Sequence, residues 1–378
     1  MTVQRILPSE EAEAIIDLAR QIADAELAPR VSDYEARGEF PREVLRTLGQ
    51  AGFLGLPYPE SVGGSGQPYE VYLQVLEELA YRWVVVAEAV SVHTLACFPV
   101  ATAGTAEQRE KLLPGLLGGD LLGGYCLTEP AGGSDAAAMT TKATLDGDQY
   151  VVNGTKAFIT HAGVADFYAL FARTGEAGAG GISCFHLPGD TAGVLPQRLE
   201  QKMGLNSSPT AQIVFDDARI DRTGLVGEEG TGFRIAMAAL DSGRLGIAAC
   251  AVGLAQSALD YAVEYAKERE QFGRPIIQFQ GLGFMLADMA TSVAAARQLM
   301  LHAARLKDAG RPFSREAAEA KLFATDMVMK VTTDAVQVLG GYGYVTDYPA
   351  ERYFREAKVL QIVEGTNQIQ RLVISRHL

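Results

Sequence analysis

The chain has 378 residues, of which 48% are hydrophobic, and a formal net charge of −13. Its length exceeds what one hydrophobic core usually supports, so we expect two or three domains. The negative charge repels phosphate groups and argues against nucleic-acid binding, and without a run of about 18 apolar residues we expect no membrane insertion.

The N-terminal segment, Met1–Glu11, is acidic and lacks the basic start and apolar centre of a secretory signal, which predicts a cytoplasmic protein. The cysteines form no CxxC pair and fit buried thiols in a reducing compartment: they are Cys97, Cys126, Cys184 and Cys250. The five histidines are scattered in the same way. Their spacing therefore predicts no metal site.

The first part of the chain has helical periodicity. From Ser9 to about Leu122 apolar residues recur at helical spacing. Breaks between helices are expected at turn-forming residues, namely Pro41, Pro57, Gly63-Gly64 and Pro114. We therefore predict an N-terminal α-helical domain over residues 1–122.

The period changes to that of β-strands over the next hundred residues. Asn153-Gly154 lies between two apolar runs, which predicts a tight hairpin. Further short strands are expected over Phe167–Ala172, Ile182–Leu187 and Ala211–Phe215, with Gly, Pro and Asp between them. This pattern predicts a middle domain over residues 123–230 that is a small antiparallel β-barrel or sandwich.

Helical spacing returns from Gly232. We expect one long helix to about Arg269, a second with an apolar face that includes several methionines, and a third that starts after Ser314 and ends at Gly340-Gly341. The apolar faces are interpreted as bundle core. The C-terminal domain, residues 231–378, is thus predicted to be a helix bundle, and the whole chain an α+β protein.

Near the C-terminus, Glu364 comes just before a helix that is expected to open at the Thr366-Asn367 cap. Its carboxylate is a candidate catalytic base, although an acidic residue near a helix N-terminus usually only complements the helix dipole. No G-x-G-x-x-G follows a strand and no G-x-x-x-x-G-K-[ST] occurs, so neither a Rossmann nor a P-loop site is predicted.

Five segments, in order along the chain, resemble the acyl-CoA dehydrogenase family. They are Tyr125-Cys126-Leu127-Thr128-Glu129-Pro130 with Gly133-Ser134-Asp135, then Asn153-Gly154-Thr155-Lys156-Ala157-Phe158-Ile159-Thr160, Arg269-Glu270-Gln271-Phe272-Gly273, Gln337-Val338-Leu339-Gly340-Gly341-Tyr342-Gly343-Tyr344, and Glu364-Gly365-Thr366. Four stretches look most like the isobutyryl-CoA and short-branched-chain members, with the short-chain (butyryl) group also close: Gly181-Ile182-Ser183-Cys184, Asn206-Ser207-Ser208-Pro209-Thr210, Lys321-Leu322-Phe323-Ala324-Thr325-Asp326 and Gly341-Tyr342-Gly343-Tyr344. The resemblance implies a helical domain, a β-domain and a four-helix bundle. It also implies FAD between the β-domain and the bundle, shared across a dimer interface in a homotetramer built as a dimer of dimers.

The resemblance assigns two sets of residues to FAD. The first would line the flavin: Tyr125, Cys126, Leu127, Thr128, Gly133, Ser134, Phe158, Ile159 and Thr160. Within it, Thr160 would donate a hydrogen bond to flavin N5, and Phe158 stands where many relatives have Trp. The second would contact the pyrophosphate and adenosine portions, partly of the neighbouring subunit's FAD: Arg269, Phe272, Gln280, Gln337, Val338, Leu339, Gly340, Gly341, Thr366 and Gln368.

For the acyl-CoA substrate, the resemblance points to Asp241 and Arg244, whose spacing of three places both on one helix face. Without the resemblance, a solvated ion pair is an equally good interpretation of this pair. Ser134 would lie near the CoA, and Val363 and Gly365 would flank the base. Because Val363 stands where straight-chain enzymes commonly carry Tyr, the site is expected to suit an α-methyl branch.

The implied reaction has Glu364 taking the α-proton while the β-hydrogen leaves as hydride to flavin N5, which gives the trans-2-enoyl-CoA. Burial beside an acyl chain would raise the pKa of the base toward roughly 6 to 7. Other family members carry the base just before the arginine that corresponds to Arg244, where this chain has Gly243. Electrons would pass to an electron-transfer flavoprotein. An acyl-CoA oxidase that uses oxygen, and a flavin-bearing DNA-associated relative, are the alternative functions.

Overall fold

The structure, a computed structural model, describes residues 3–378 and begins with helices. These are α1 (Glu10–Ile22), α2 (Val31–Arg37), α3 (Arg42–Gln50), α4 (Tyr69–Arg82), α5 (Val84–Ala103) and α6 (Ala106–Leu117). Ser9 caps α1, and Thr105 forms a capping box with Gln108 at the start of α6. The break predicted near Pro114 comes slightly later, because α6 continues through this proline and ends at Leu117. The carbonyl that loses its helical partner belongs to Glu110, an exposed residue.

Two helices contradict the expectation that no apolar run is long enough to span a bilayer. Both α5 and the later helix Gly232–Glu268 pass that test by length and composition, with mean hydropathies of 1.8 and 1.5 over their most apolar windows. In the structure 89% and 78% of those windows are buried inside the protein. They are core helices, since a helix that is apolar all round is buried in a large core just as it is in a membrane.

Eight strands then form one sheet. They are β1 (Gly123–Cys126), β2 (Lys142–Asp146), β3 (Gln149–Thr160), β4 (Phe167–Arg173), β5 (Ile182–Pro188), β6 (Val194–Pro196), β7 (Thr210–Asp221) and β8 (Leu225–Val226). The order is β6-β7-β3-β2-β4-β5-β8, with β1 beside β4. Most neighbours are antiparallel, but β1 and β2 pair with β4 in parallel, so the sheet is mixed rather than purely antiparallel.

The tight hairpin predicted at Asn153-Gly154 is wrong, because β3 continues through this dipeptide, which forms a bulge in the pairing of β3 with β7. The turn between β2 and β3 lies instead at Gly147, which has a φ of 64°. Gly154 is needed for a different reason: a Cβ there would lie 2.6 Å from the Thr141 hydroxyl oxygen. Asn153 exchanges two hydrogen bonds with Asp217 across the bulge.

The last part of the chain is helical again. It contains α7 (Gly232–Glu268), a small hairpin of β9 (Glu270–Gln271) and β10 (Arg274–Pro275), and then α8 (Gln280–Asp308), α9 (Ser314–Leu339), α10 (Ala350–Leu360) and α11 (Asn367–Ser375). Helices α7 to α10 form the bundle, and α11 packs on α9. The α+β class with helical, β and helical regions is therefore confirmed.

A single hydrophobic core joins the first and last helical regions. Helix α7 packs against α4 and α5 from the first region as well as α8, α9 and α10 from its own. Buried side chains of α1, α4 and α5 belong to the same apolar cluster as those of α7 to α10. This shared core brings α5, α7 and the chain before α11 together around the candidate site.

Candidate active site

Glu364 lies in the short segment between α10 and α11, and its backbone turns sharply there. Its φ is 52° and that of Gly365 is 92°, so two consecutive residues adopt the left-handed conformation. Thr366 then caps α11, as predicted, by accepting a hydrogen bond from the Ile369 amide. A left-handed non-glycine residue is uncommon, and functional sites are among the places where such residues cluster. The turn directs the Glu364 carboxyl group into the protein.

Both carboxyl oxygens of Glu364 are buried and have no hydrogen-bond partner within residues 3–378. This burial raises the pKa of Glu364 to about 8, against the opposing charges of Lys321 and Arg244 and with a contribution from Glu88 in the same direction as burial. The upward shift of this pKa agrees with the expectation from the sequence. A carboxyl group without partners and with a raised pKa is suited to exchanging a proton with a bound molecule.

Gly243 on α7 forms part of the wall against which this carboxyl group rests. A Cβ at Gly243 would lie 2.0 Å from Oε2 of Glu364 and 3.2 Å from a methyl carbon of Leu95. The absence of a side chain at this position therefore makes room for the carboxyl group. The two positions that the family resemblance offers for a base, 243 and 364, reach the same space.

The turn at Glu364 is held from beneath by Lys321 on α9, which the sequence analysis did not assign to the site. Its Nζ donates to the Gly365 carbonyl oxygen at 2.9 Å and to Oδ1 of Asn367 at 3.0 Å. Gln370 donates to the same Gly365 oxygen at 2.7 Å. Burial lowers the pKa of Lys321 to about 7, against the attraction of Glu364. A lysine within the apolar face of α9 was the signal in the sequence, because lysine is almost never fully buried without partners.

An apolar cavity of about 140 Å³ lies beside Gly243, between α4, α5 and α7. Its wall contains the aromatic rings of Tyr58, Tyr69, Tyr72 and Phe98 together with Leu95. The polar ends of two tyrosines are satisfied elsewhere: Tyr69 donates to the Ser242 carbonyl oxygen at 2.9 Å and Tyr58 to that of Thr94 at 2.5 Å. The sequence analysis did not single out these residues. The cavity offers a small apolar ligand a place next to the Glu364 carboxyl group.

The loop after β1 and the end of β3 form one wall of the β-domain, and a buried ion pair supports it. Lys156 on β3 donates to Oε1 of Glu129 and to the Leu127 carbonyl oxygen, both at 2.9 Å. The Ala157 amide donates to the Thr128 carbonyl oxygen at 2.9 Å. Although burial alone would raise it, Lys156 and the Thr140 and Thr141 amides hold the pKa of Glu129 at about 2. The motif containing Glu129 and Lys156 was recognised, but this supporting role was not.

The nine residues assigned to the flavin wall divide by exposure. Phe158 is 68% exposed with a φ of 54°, and Gly133 and Ser134 are exposed as well. The side chains of Cys126, Leu127 and Ile159 are buried in the apolar interior, so they could contribute only backbone atoms to a surface site. Tyr125, Thr128 and Thr160 are half-buried, and the Tyr125 hydroxyl donates to the Ala236 carbonyl oxygen at 3.3 Å.

A second group of predicted residues lines an open groove of about 520 Å³ at the far end of the bundle. Arg269, Gly340 and Gly341 line it with the buried pair Val338 and Leu339. A Cβ at either glycine would meet no atom within 4 Å, which leaves the groove open above them. The guanidinium of Arg269 lies 5.7 Å from the centre of the Tyr342 ring. No residue of this groove belongs to the β-domain wall, so within one chain the two sets do not meet.

The remaining residues assigned to FAD are exposed, unlike Val363. Phe272 is 93% exposed on the β9–β10 hairpin, and Gln280 and Gln337 are exposed on α8 and α9. Gln368 is exposed in the first turn of α11. Val363 is half-buried against the helical core.

Asp241 and Arg244 share one face of α7 as predicted, but they are not a solvated surface pair. Arg244 is 5% exposed, and its Nη1 lies 2.5 Å from Oδ1 of Asp241. Ser314 donates to the same oxygen at 2.9 Å. Burial lowers the pKa of Arg244, while Asp241 and Glu364 oppose that effect. The pair therefore places a buried positive charge near the Glu364 carboxyl group.

The chain offers groups that fit a flavin nucleotide. The exposed Phe158 ring and the Thr160 hydroxyl suit the ring system, and Arg269 beside two open glycines suits a pyrophosphate. Together with a buried, unpartnered carboxyl group beside an apolar cavity, these features define an FAD-dependent dehydrogenase.

The chain belongs to the acyl-CoA dehydrogenase family, whose members are FAD-dependent enzymes. Family models for the N-terminal, middle and C-terminal domains of acyl-CoA dehydrogenase match residues 9–120, 124–218 and 230–378. The resemblance seen in the five sequence segments is therefore confirmed, as are the FAD dependence and the enzyme class.

Similar proteins agree with this membership. The short-chain-specific acyl-CoA dehydrogenase of Clostridium acetobutylicum is 43% identical over 97% of both chains. The mitochondrial isobutyryl-CoA dehydrogenase of Dictyostelium discoideum is 42% identical over 98% of this chain and 89% of its own. The structure of butyryl-CoA dehydrogenase from Megasphaera elsdenii is similar with a TM-score of 0.96, at 41% identity over 99% of both chains.

Proposed function

We propose that this acyl-CoA dehydrogenase oxidises a short-chain or α-branched acyl-CoA to the trans-2-enoyl-CoA, with Glu364 as the catalytic base. The observation that carries the proposal is the Glu364 carboxyl group, which is buried, unpartnered and adjacent to an apolar cavity of about 140 Å³. A cavity of this size, lined by aromatic rings, favours a short acyl chain.

In the proposed reaction the acyl group enters the cavity with its α-carbon beside Glu364. The ionised carboxylate removes the α-proton and becomes a neutral acid, a change that its apolar surroundings favour. Bound FAD would supply the acceptor for the β-hydrogen, which leaves as a hydride. Arg244 and Lys321 limit the rise in the pKa of Glu364, so that a useful fraction is ionised near neutral pH. The aromatic rings of the cavity wall limit the access of water to the reacting carbons.

The remaining assignments complete the proposal. Thr160 donates its hydroxyl hydrogen toward the flavin, and Arg269, Phe272 and the Gly340-Gly341 groove receive the FAD of a second protomer. An exposed Phe272 and the separation of the two groups within one chain support this sharing. We propose that the protein is a homo-oligomer and passes electrons to an electron-transfer flavoprotein. We place it in the cytoplasm, because its four cysteines are free and buried, which fits a reducing compartment.

The direct test is anaerobic titration of the purified holoenzyme with isobutyryl-CoA, 2-methylbutyryl-CoA, butyryl-CoA and octanoyl-CoA. We expect the flavin absorbance to bleach with a four- or five-carbon acyl-CoA at far lower concentration than with octanoyl-CoA. Flavin that none of these thioesters reduces would contradict the proposal. Oxygen consumption during turnover would favour the oxidase alternative over electron transfer to a flavoprotein.

Val363→Tyr is expected to lower activity toward isobutyryl-CoA at least about tenfold relative to butyryl-CoA. A ring beside the α-carbon would collide with a methyl branch, and one methylene of pocket space is worth about 1–3 kcal/mol of discrimination. The measurement is the ratio of kcat/KM for the two substrates. Val363→Ile serves as the control, because it adds a single methyl group. An unchanged ratio in Val363→Tyr would show that this position does not select for branching.

The double variant Gly243→Glu with Glu364→Gly is expected to recover part of the activity that Glu364→Gly alone loses. A side chain at 243 points into the space of the Glu364 carboxyl group, and glycine tolerates the left-handed φ at 364. Flavin reduction by butyryl-CoA is the readout, with Gly243→Gln in the same background as the matched control. If the double variant binds FAD but is no faster than this control, the two positions are not equivalent.

A further inference from the structure

Glu88 is a second buried carboxyl group near the site, and the proposed reaction leaves it without a role. It lies in the second turn of α5 and is 7% exposed. Its neighbours in sequence, from Val84 to Val90, are otherwise Val and Ala and are buried. Placing a carboxyl group there is costly unless it is paired or neutral, so its retention calls for an explanation.

The two oxygens of Glu88 reach across to the β-domain. The Thr160 hydroxyl lies 3.3 Å from Oε1, and the Ser208 hydroxyl donates to Oε2 at 3.0 Å. Thr160 and Thr210, two residues after Ser208, are paired between β3 and β7. Glu88 thus joins α5 to the end of the strand that carries Thr160, the residue assigned to the flavin.

No cation compensates Glu88 directly. Within residues 3–378 no ion pair joins Glu88 to a lysine or arginine; the nearby Lys202 donates instead to the Ser208 carbonyl oxygen at 2.6 Å. The other titratable groups that interact with it are Cys250 on α7 and Glu364. Burial raises the pKa of Glu88, against the hydroxyl groups and Lys202.

We propose that Glu88 is a positioning residue for Thr160: as a neutral acid it donates a hydrogen bond to Thr160 Oγ1 and leaves the hydroxyl hydrogen of Thr160 free to point toward the flavin. The proposal rests on the proposed function, which places Thr160 at the flavin. An ionised Glu88 would instead accept that hydrogen and turn it away. The hydrogen bond from Ser208 to Oε2 leaves Oε1 as the protonated oxygen.

Two buried carboxyl groups then take different states in one site: Glu88 is neutral, and Glu364 ionises to act as base. The contribution of Glu88 to the raised pKa of Glu364 comes from its negative charge, so a neutral Glu88 removes that contribution and helps Glu364 to ionise. The pair would be coupled through space rather than by a shared hydrogen bond.

The test compares Glu88→Gln with Glu88→Leu, each with and without Thr160→Val, as FAD-loaded protein. We expect Glu88→Leu to slow flavin reduction by butyryl-CoA at least about tenfold and to shift the flavin reduction potential, because the Thr160 hydroxyl loses its partner. Glu88→Gln should restore both, since its amide donates at the same place without charge. In the Thr160→Val background, Glu88→Leu should add nothing.

Either of two results would overturn the proposal. Glu88→Gln as slow as Glu88→Leu would mean that a negative charge is required, and a full effect of Glu88→Leu in Thr160→Val would mean that Glu88 does not act through Thr160. A readout that needs neither substrate nor flavin is the infrared carbonyl band of a neutral carboxylic acid at pH 7. It is measured as the difference between Glu364→Gln and the same variant with Glu88→Gln, because burial also raises the pKa of Glu364 to about 8. Absence of a band from this difference would equally refute a neutral Glu88. If no acyl-CoA reduces the flavin, the proposed function fails while this band still tests Glu88.

Discussion

Glu364→Gln is expected to slow reduction of the bound flavin by acyl-CoA about 10²–10⁴-fold, the usual contribution of a general base. The amide has nearly the same shape but cannot take a proton, and Gly243 provides no substitute at the alternative position. Stopped-flow measurement of flavin bleaching would give the rate. The yellow flavin spectrum should persist, which distinguishes loss of the base from loss of FAD. Reduction at the unmodified rate would exclude Glu364 as the base.

The same carboxyl group predicts how activity and stability depend on pH. Because only the ionised form accepts a proton, kcat/KM should rise with pH and level off above about 8, the pKa that burial gives Glu364. Stability should change in the opposite sense. The folded protein holds this proton more tightly than the unfolded chain. The stabilisation that the protonated Glu364 contributes to the folded state is therefore complete below the unfolded pKa of 4.5 and is lost as the pH rises through about 8.

The pH dependence of stability can be measured on the protein without FAD. Glu364→Gln should raise the Tm relative to the unmodified protein at pH 9 and change it little at pH 4, because the amide never acquires a charge. A Tm difference that does not vary with pH would show that the carboxyl group is not desolvated. The result does not depend on which acyl-CoA the enzyme uses.

Lys156→Met is expected to lower the free energy of unfolding by about 3–5 kcal/mol and to reduce the FAD content. The variant leaves the Glu129 carboxylate buried opposite an apolar side chain, and removing one member of a buried ion pair has a cost of this size. It also removes the hydrogen bond to the Leu127 carbonyl oxygen, which supports the loop of the flavin wall. Denaturant unfolding and the flavin-to-protein ratio are the two measurements.

Two comparisons make that result specific. Lys156→Met combined with Glu129→Gln should recover part of the loss, because no unpaired charge remains. Arg219→Met breaks the ion pair with Asp146 on the same sheet, where the side chains are 51% and 65% exposed, and should cost less than about 1 kcal/mol. Equal effects of Lys156→Met and Arg219→Met would mean that burial of the Glu129–Lys156 pair is not important. Because the pKa of Glu129 is about 2 in the folded protein, the stabilisation that its charge contributes is present above pH 4.5 and is lost as the pH falls toward 2.

Much of the fold could be predicted from periodicity. The helix Gly232–Glu268 and the end of α9 at Leu339 agree with the apolar spacing and with Gly340. The hairpin predicted at Asn153-Gly154 did not form, because the same dipeptide suits a hairpin turn and a bulge. Which of them forms depends on the approach of Thr141, a contact between strands. The helix break comes after Pro114 and not at it, because a proline near the end of a helix removes only one hydrogen bond.

The site could be predicted in part. Glu364 stood out through the resemblance, but its burial and its contact with Gly243 come from the packing of α7 against the chain before α11, which no local pattern encodes. Lys321 and Glu88 carried a signal, a charged residue within an apolar face, but a charge in such a place has no evident partner until the structure is known. Their partners, Gly365 and Thr160, lie 44 and 72 residues away in sequence.

The core shared by the first and last helical regions limits where this chain can be divided into independently folding parts. Three family models follow one another in sequence, yet α4 and α5 complete the same apolar interior as α7 to α10, although the β-domain lies between them in the chain. A fragment that stops before α7, or one that starts there, would expose part of that interior to water. The two helical parts therefore fold as one unit, and recombination between relatives should succeed only when both are exchanged together.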